Sequence, residues 1–152
     1  MAFQLTSTVF TQGNPVPADY TCIGRNVSPP LAWSAPPAGT RSFALILDDP
    51  DAPGGTFTHW VLYNLPASAA ALPENVPASP QLADGSLQGK NSAGRSGYTG
   101  PCPPSGTHRY FFKLYALDGP LALQAGANAA GLLQAMQGHI LGSTELMGTY
   151  RK

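Results

Sequence analysis

Charge is scarce in this sequence. Charged residues make up 11% of the 152 residues, against roughly a quarter in typical soluble domains. Lysine plus arginine equals aspartate plus glutamate, at 8 each, so the formal net charge is +0. Nucleic-acid binding and adsorption to anionic membranes both need a basic face, and no basic run occurs here. We therefore expect neither nucleic acid nor an anionic membrane surface as a partner.

Cysteine and long apolar runs are also scarce. The two cysteines, Cys22 and Cys102, are too few for a disulfide scaffold or a four-cysteine zinc site. No apolar run approaches the roughly 20 residues that span a bilayer, and the start of the chain lacks the basic and apolar regions of a secretory signal. We expect a cytoplasmic protein with no integral membrane association, although a mature exported form would look the same.

Glycine and proline are abundant, at 17 and 16 residues, and both break helix interiors. This composition, with a length that suits one domain over residues 1–152, predicts a mainly β protein whose short strands are joined by rigid turns. Strands are predicted over residues 42–47 and 57–64. The clearest strand covers residues 109–117, because its even-numbered positions form one apolar face.

One helix and one further strand are predicted toward the end of the sequence. Asn128 can cap a helix whose apolar residues recur at helical spacing, namely Leu132, Leu133, Met136 and Ile140. Residues 144–150 are predicted to form a last short strand. Residues 66–107 have mostly loop composition, and so long a structureless stretch is usually functional or contains short elements.

Two segments carry candidate functional groups. Residues 48–53, with the sequence Asp-Asp-Pro-Asp-Ala-Pro, are followed by His59, and residues 100–110 end with His108 and Tyr110 nearly adjacent. Each segment lies where a strand meets a rigid turn, a position at which scaffolds display functional groups. Imidazole, phenol and backbone N–H groups can donate hydrogen bonds to an anion, and a nearby carboxylate favours the charged form of a histidine. We therefore expect His59, His108, Tyr110 and loop N–H groups to hold an anion.

Structural roles compete with these interpretations. The Asp-Pro-Asp turn is a stable turn in its own right, and a single histidine in a β protein is more often structural than a ligand. Arg109 is predicted to form a structural ion pair, because strand alternation points it away from Tyr110. His139 is predicted to be a structural residue near the helix end. No Gly-x-Ser-x-Gly elbow and no His-x-x-x-His spacing occurs, so we expect no catalytic residue, no metal and no cofactor.

The two segments together resemble the phosphatidylethanolamine-binding protein family, and its shorter bacterial branch in particular. The resemblance covers nearly the whole chain, and the pairing of the two segments is specific to that family. The matching pieces include Asn26 through Trp33, Asp49-Pro50-Asp51-Ala52-Pro53, His59-Trp60-Val61, Gly100 through Tyr110, and His139 to Tyr150.

This resemblance implies a fold and a site. The fold would be a β-sandwich of two antiparallel sheets with one or a few peripheral helices. The site would be a small preformed pocket at one end of the sandwich that holds phosphate, phosphorylethanolamine or a carboxylate. Four residues would line the pocket and three would shape its rim: Asp49, His59, His108 and Tyr110, and then Asp51, Pro103 and Pro104.

The resemblance also implies a non-enzymatic binding protein that regulates a phosphorylated partner, with a kinase or a protease as the protein partner. The alternative is a serine protease inhibitor. A homodimer is expected, because bacterial family members are commonly dimeric and a surface poor in charge is compatible with a buried face. Cys22 and Cys102 flank loops that approach the pocket in the family, so they could form one disulfide. A cytoplasmic location favours two buried reduced thiols instead.

Overall fold

Eight β-strands and one α-helix form the part of the chain that the computed structural model describes, residues 2–152. The strands before the long loop region are β1 Gln4–Thr6, β2 Leu31–Ser34, β3 Ser42–Asp49 and β4 Phe57–Pro66. They are followed by β5 Ala71–Leu72, β6 Leu87–Gln88, β7 Thr107–Leu117, α1 Ala129–Met136 and β8 Ile140–Arg151. A single 3-10 turn, Ala18–Tyr20, lies between β1 and β2.

The strands form two antiparallel sheets. The larger sheet has the strand order β6-β4-β3-β7-β8, and the smaller has the order β1-β2-β5. The long strands β7 and β8 pair along nearly their whole length, and β8 forms one edge of the larger sheet. The predicted mainly β fold, with two antiparallel sheets and one peripheral helix, is confirmed.

Alternation along β3 sends its side chains into two separate cores. Leu45 and Leu47 face the smaller sheet and pack in one cluster with Trp33. Ala44 and Ile46 point to the opposite face and pack in a second cluster that includes the helix. Because β3 is buried on both faces, its sequence is a continuous apolar run rather than an alternating one.

The predicted helix is present but shorter than its apolar pattern suggested. The side chain of Asn128 accepts a backbone N–H of the first turn at 2.9 Å, as an N-cap does. Leu132 and Met136 are buried against the larger sheet. The prediction is wrong for Leu133 and Ile140, which are each 45% exposed. Ile140 is the first residue of β8, because the chain turns there to pair with β7.

Two other predicted segments differ in extent. The last strand, predicted over residues 144–150, runs over twelve residues as β8 because β7 offers a long partner. The loop stretch predicted over residues 66–107 contains the short strands β5 and β6. Within residues 2–152, no helix has the length and apolar character needed to cross a membrane.

A disulfide ties the loop before β7 to the segment after the 3-10 turn. Cys22 and Cys102 are bonded, so the interpretation of two reduced thiols is wrong. Close by, the Gly100 N–H donates to Oδ1 of Asn26 at 2.7 Å. A Cβ at Gly100 would lie 2.3 Å from the carbonyl oxygen of Tyr20, so the close approach requires glycine. The cytoplasmic location stays a prediction, since disulfides persist mainly in oxidising compartments.

Candidate functional site

Polar residues replace apolar ones at one end of the core-facing side of the larger sheet. Asp49 ends β3 on the face that carries Leu47. On the adjacent strand β7, His108 and Tyr110 share a face with Phe112, because alternate residues of a strand point the same way. Three polar side chains therefore meet where the apolar core ends.

His59 reaches this same face through a β-bulge. The register between β3 and β4 shifts between Leu47 and Asp48, and His59 is the extra residue on β4. Regular alternation would place His59 with Val61 on the helix side of the sheet. Instead its ring lies 5.3 Å from the ring of Tyr110, measured between centroids. Bulges commonly re-aim side chains next to functional sites.

A cavity of about 190 Å³ opens between these strand ends and the neighbouring loops. Its lining combines residues of both predicted segments, which lie about fifty positions apart in the sequence. Six of the seven predicted site residues line it: Asp49, His59, His108, Tyr110, Pro103 and Pro104. The structure adds Ala52, Pro53, Phe57, Thr99, Gly100 and Cys102.

His108 is paired with a buried carboxylate. Its Nδ1 donates to Oδ2 of Asp49 at 2.6 Å, and the two side chains are 8% and 4% exposed. The other oxygen of Asp49 accepts the backbone N–H of Asp51 at 2.8 Å, which holds the carboxylate in place. Because a carboxylate can only accept, Nδ1 carries a hydrogen and Nε2 is the ring nitrogen left for a ligand. Asp49 can balance the positive charge of a protonated ring.

His59 has a different partner. Its Nδ1 donates to the backbone carbonyl of Thr99 at 2.7 Å, so in the neutral ring Nε2 is unprotonated and accepts hydrogen bonds. Burial lowers the pKa of His59 below its ordinary value, and this outweighs the opposing effect of the Thr99 carbonyl and of Asp49. The structure thus changes the role predicted for His59, because a neutral ring in this orientation offers an acceptor rather than a donor.

The hydroxyl of Tyr110 is buried and has no hydrogen-bond partner among the described residues. Burial, reinforced by the nearby Asp49 carboxylate, raises the pKa of Tyr110 well above its ordinary value, so the hydroxyl keeps its proton. Leaving a buried polar group unpaired costs about 1–3 kcal/mol. A ligand oxygen in the cavity would supply the missing partner.

Asp51 lies outside the lining of the cavity, although it was predicted at the rim. Its Oδ2 accepts from the backbone N–H and the Nε of Arg109, each at 2.9 Å, and its Oδ1 accepts from Nη2 at 2.9 Å. These hydrogen bonds lower the pKa of Asp51 to about 2. Arg109 therefore forms the ion pair that strand alternation predicted, and Asp51 supports the site by donating its own N–H to Asp49.

Two notable lining residues were not predicted from the sequence. Phe57 stands with its ring centroid 4.7 Å from that of His59, and its position two residues earlier on β4 could have revealed it. Thr99 contributes a backbone carbonyl, for which side-chain patterns contain no signal. Among residues 2–152, no three histidine, cysteine, aspartate or glutamate side chains are grouped as a metal site would need.

Comparison with known sequences identifies the family. The model of the family described as phosphatidylethanolamine-binding protein matches residues 6–151. A UPF0098 protein of Methanothermobacter thermautotrophicus is 52% identical over 148 residues, which cover 97% of this chain and 98% of the relative. Since that relative is archaeal, the likeness extends beyond the bacterial branch that the sequence suggested.

Two solved structures share the fold. A phosphatidylethanolamine-binding protein homologue from Chlamydia trachomatis is 44% identical with a TM-score of 0.92, and the match covers 99% of this chain and 98% of that one. Escherichia coli YbcL, described as a new member of the mammalian family, is 33% identical with a TM-score of 0.90 at the same coverage of 99% and 98%. Because sequence and fold agree over nearly the full length, the chain belongs to the phosphatidylethanolamine-binding protein family.

Proposed function

We propose that this protein is a non-enzymatic binding protein whose cavity takes a small anionic group, such as phosphate, phosphorylethanolamine or a carboxylate. The observation that carries the proposal is the buried, unpartnered hydroxyl of Tyr110 beside His59 and His108 in one cavity. A hydroxyl held in this way is prepared to donate to a ligand oxygen. Membership of a family named for binding supports the same role.

The charge that attracts the anion comes from His108. No lysine or arginine is among the lining residues, and Arg109, next to His108 in the sequence, is engaged by Asp51. A protonated His108 donates from Nε2, while Asp49 balances its charge through Nδ1. Because an anion stabilises the protonated ring, binding of the anion and uptake of a proton are linked.

Acetate is the cleanest probe of this linkage, because it stays a monoanion across the pH range in which phosphate itself titrates. We expect acetate to bind more tightly near pH 6 than near pH 8. Burial lowers the pKa of His59, so we expect the response to come mainly from His108, whose Nδ1 is bonded to the Asp49 carboxylate. His108→Ala should weaken binding near pH 6 by about tenfold to a hundredfold and remove most of the pH response.

Calorimetry measures the affinity for acetate and its change between pH 6 and pH 8. The matched control is His139→Ala, since His139 is an exposed histidine bonded to Asp118 and should keep the full pH response of the wild type. Equal acetate affinity at the two pH values, or an unchanged response in His108→Ala, would contradict the mechanism.

Regulation of a phosphorylated partner would use the same cavity to hold the phosphoryl group. Inhibition of serine proteases stays the alternative, and titration against trypsin and subtilisin tests it. The homodimer also stays a prediction, which light scattering at high protein concentration tests.

A further inference from the structure

The two histidines of the cavity offer different chemistry to a ligand. Nδ1 of His108 is bonded to the carboxylate of Asp49, which balances a second proton on the ring. Nδ1 of His59 is bonded to the uncharged carbonyl of Thr99, which does not. Nε2 of His108 is therefore suited to donate to a ligand oxygen, and Nε2 of His59 is suited to accept a hydrogen.

The orientation of His59 is held from several sides. Thr99 accepts from the ring at 2.7 Å and also donates its own N–H to the carbonyl of His59 at 3.0 Å. The rings of Phe57 and Tyr110 pack on the imidazole at centroid distances of 4.7 Å and 5.3 Å. The negative charges of Asp49 and Asp48 favour a proton on His59, and burial of the ring outweighs their effect, so its pKa is lowered.

We propose that His59 makes the cavity selective for oxyanions that carry a hydrogen over equally charged oxyanions that carry none. The preferred class is the phosphate monoester in its monoanionic form. Its O–H donates to Nε2 of His59, while its other oxygens accept from His108 and Tyr110. A sulfate monoester has only acceptor oxygens, so one of them would face the lone pair of His59. This inference rests on the proposed function and names its ligand class.

Two sources of phosphate chemistry differ in whether they can donate a hydrogen to His59. A phosphate diester, which is the linkage in an intact phospholipid headgroup, has no O–H to offer. A free phosphate monoester has one when it is a monoanion. The cavity should therefore rank a free monoester above a diester.

Methyl phosphate and methyl sulfate form a matched pair of probes. At about pH 5.5, below the second pKa of a phosphate ester at about 6, both are mainly monoanions, and neither has an ammonium group. Calorimetry on the wild-type protein should show methyl phosphate binding at least about tenfold more tightly than methyl sulfate, with dimethyl phosphate close to methyl sulfate. Equal affinities would overturn this inference and leave the proposed function standing. Failure of these ions and of acetate to bind would overturn the proposed function itself.

His59→Gln tests the residue assigned to the selectivity. A glutamine amide can donate as well as accept, so the affinity ratio between methyl phosphate and methyl sulfate should fall toward one. His139→Gln is the control and should keep the wild-type ratio. An unchanged ratio in a folded His59→Gln protein would contradict the assignment.

A spectroscopic measurement on the wild type covers the case in which His59→Gln does not fold. Nitrogen-15 NMR of the histidine side chains distinguishes the two neutral tautomers and the protonated ring. At the same pH, His59 should be neutral with its hydrogen on Nδ1. A hydrogen on Nε2, in either the neutral or the protonated ring, would overturn the inference.

Discussion

Two histidine–aspartate pairs lie near opposite ends of β7 in very different surroundings. At the cavity end, Nδ1 of His108 lies 2.6 Å from the Asp49 carboxylate, and the side chains are 8% and 4% exposed. At the far end, Nδ1 of His139 lies 2.9 Å from the Asp118 carboxylate, and the side chains are 52% and 47% exposed. The residues are the same, so burial and the shape of the surroundings distinguish the candidate site.

The surroundings of a charged pair decide whether its members depend on each other. Water solvates both members of the exposed pair, so the pair contributes little to stability. The buried pair has lost that water, so each member depends on the other and on any ligand. The cavity end is also tied by the disulfide between Cys22 and Cys102. Three sets of substitutions test how strongly the surroundings at the two ends of β7 affect stability.

The largest expected effect comes from the disulfide. The bond joins residues separated by 80 positions, and closing a loop of that length contributes about 4 kcal/mol to stability. We expect Cys22→Ser with Cys102→Ser to lower the free energy of unfolding by that amount and to weaken acetate binding, since Cys102 lines the cavity. Urea denaturation of the double variant, and of the wild type with and without a thiol reductant, measures the loss. Identical curves for oxidised and reduced wild type would contradict it.

The second largest expected effect comes from removing the aspartate of the buried histidine–aspartate pair, compared with removing that of the exposed pair. Asp49→Ala leaves the buried His108 without its partner and should lower the free energy of unfolding by about 3 kcal/mol. Asp118→Ala removes the partner of an exposed histidine and should change it by no more than about 0.5 kcal/mol. Urea denaturation of both variants near pH 7 makes the measurement. Equal losses of stability in the two variants would show that burial does not distinguish the two histidine–aspartate pairs.

The smallest effect belongs to the exposed pair beside the cavity, Arg109 with Asp51. Hydrogen bonds from Arg109 lower the pKa of Asp51 to about 2, so the ion pair stabilises the fold at pH values above the ordinary pKa of an aspartate. That contribution is lost as pH falls through about 2. Arg109→Ala should therefore cost a little stability at pH 6, less than Asp49→Ala, and the difference from wild type should shrink below pH 4. A difference that stays constant down to pH 2 would argue against this ion pair.

Much of the site could be predicted from the sequence because it depends on the order of neighbouring residues within one strand or one turn. Alternation along β7 places His108 and Tyr110 on one face, and it also points Arg109 away from Tyr110. The short Asp-Pro-Asp turn predicts a carboxylate at the end of β3, which is where Asp49 lies. These features need only the two-residue period of a strand and the stiffness of proline.

Other parts of the site could not be predicted in this way. His59 faces the cavity only because a bulge forms where β4 pairs with β3, and a bulge depends on the partner strand. Thr99 takes part through its backbone carbonyl, which every residue has. Outside the site, Ile140 continues the apolar spacing of the helix, yet it begins β8 because it pairs with β7.

The amino-acid sequence alone was enough to predict the long strands β3, β4 and β7, the turn chemistry and the residue types that can contact an anion. Tertiary structure decided which ring nitrogen of each histidine carries the hydrogen. The partners of Nδ1 come from 40 positions away for His59 and 59 positions away for His108. The tautomer of a histidine follows from the group that its other nitrogen contacts, and that group is brought into place only when the strands pair.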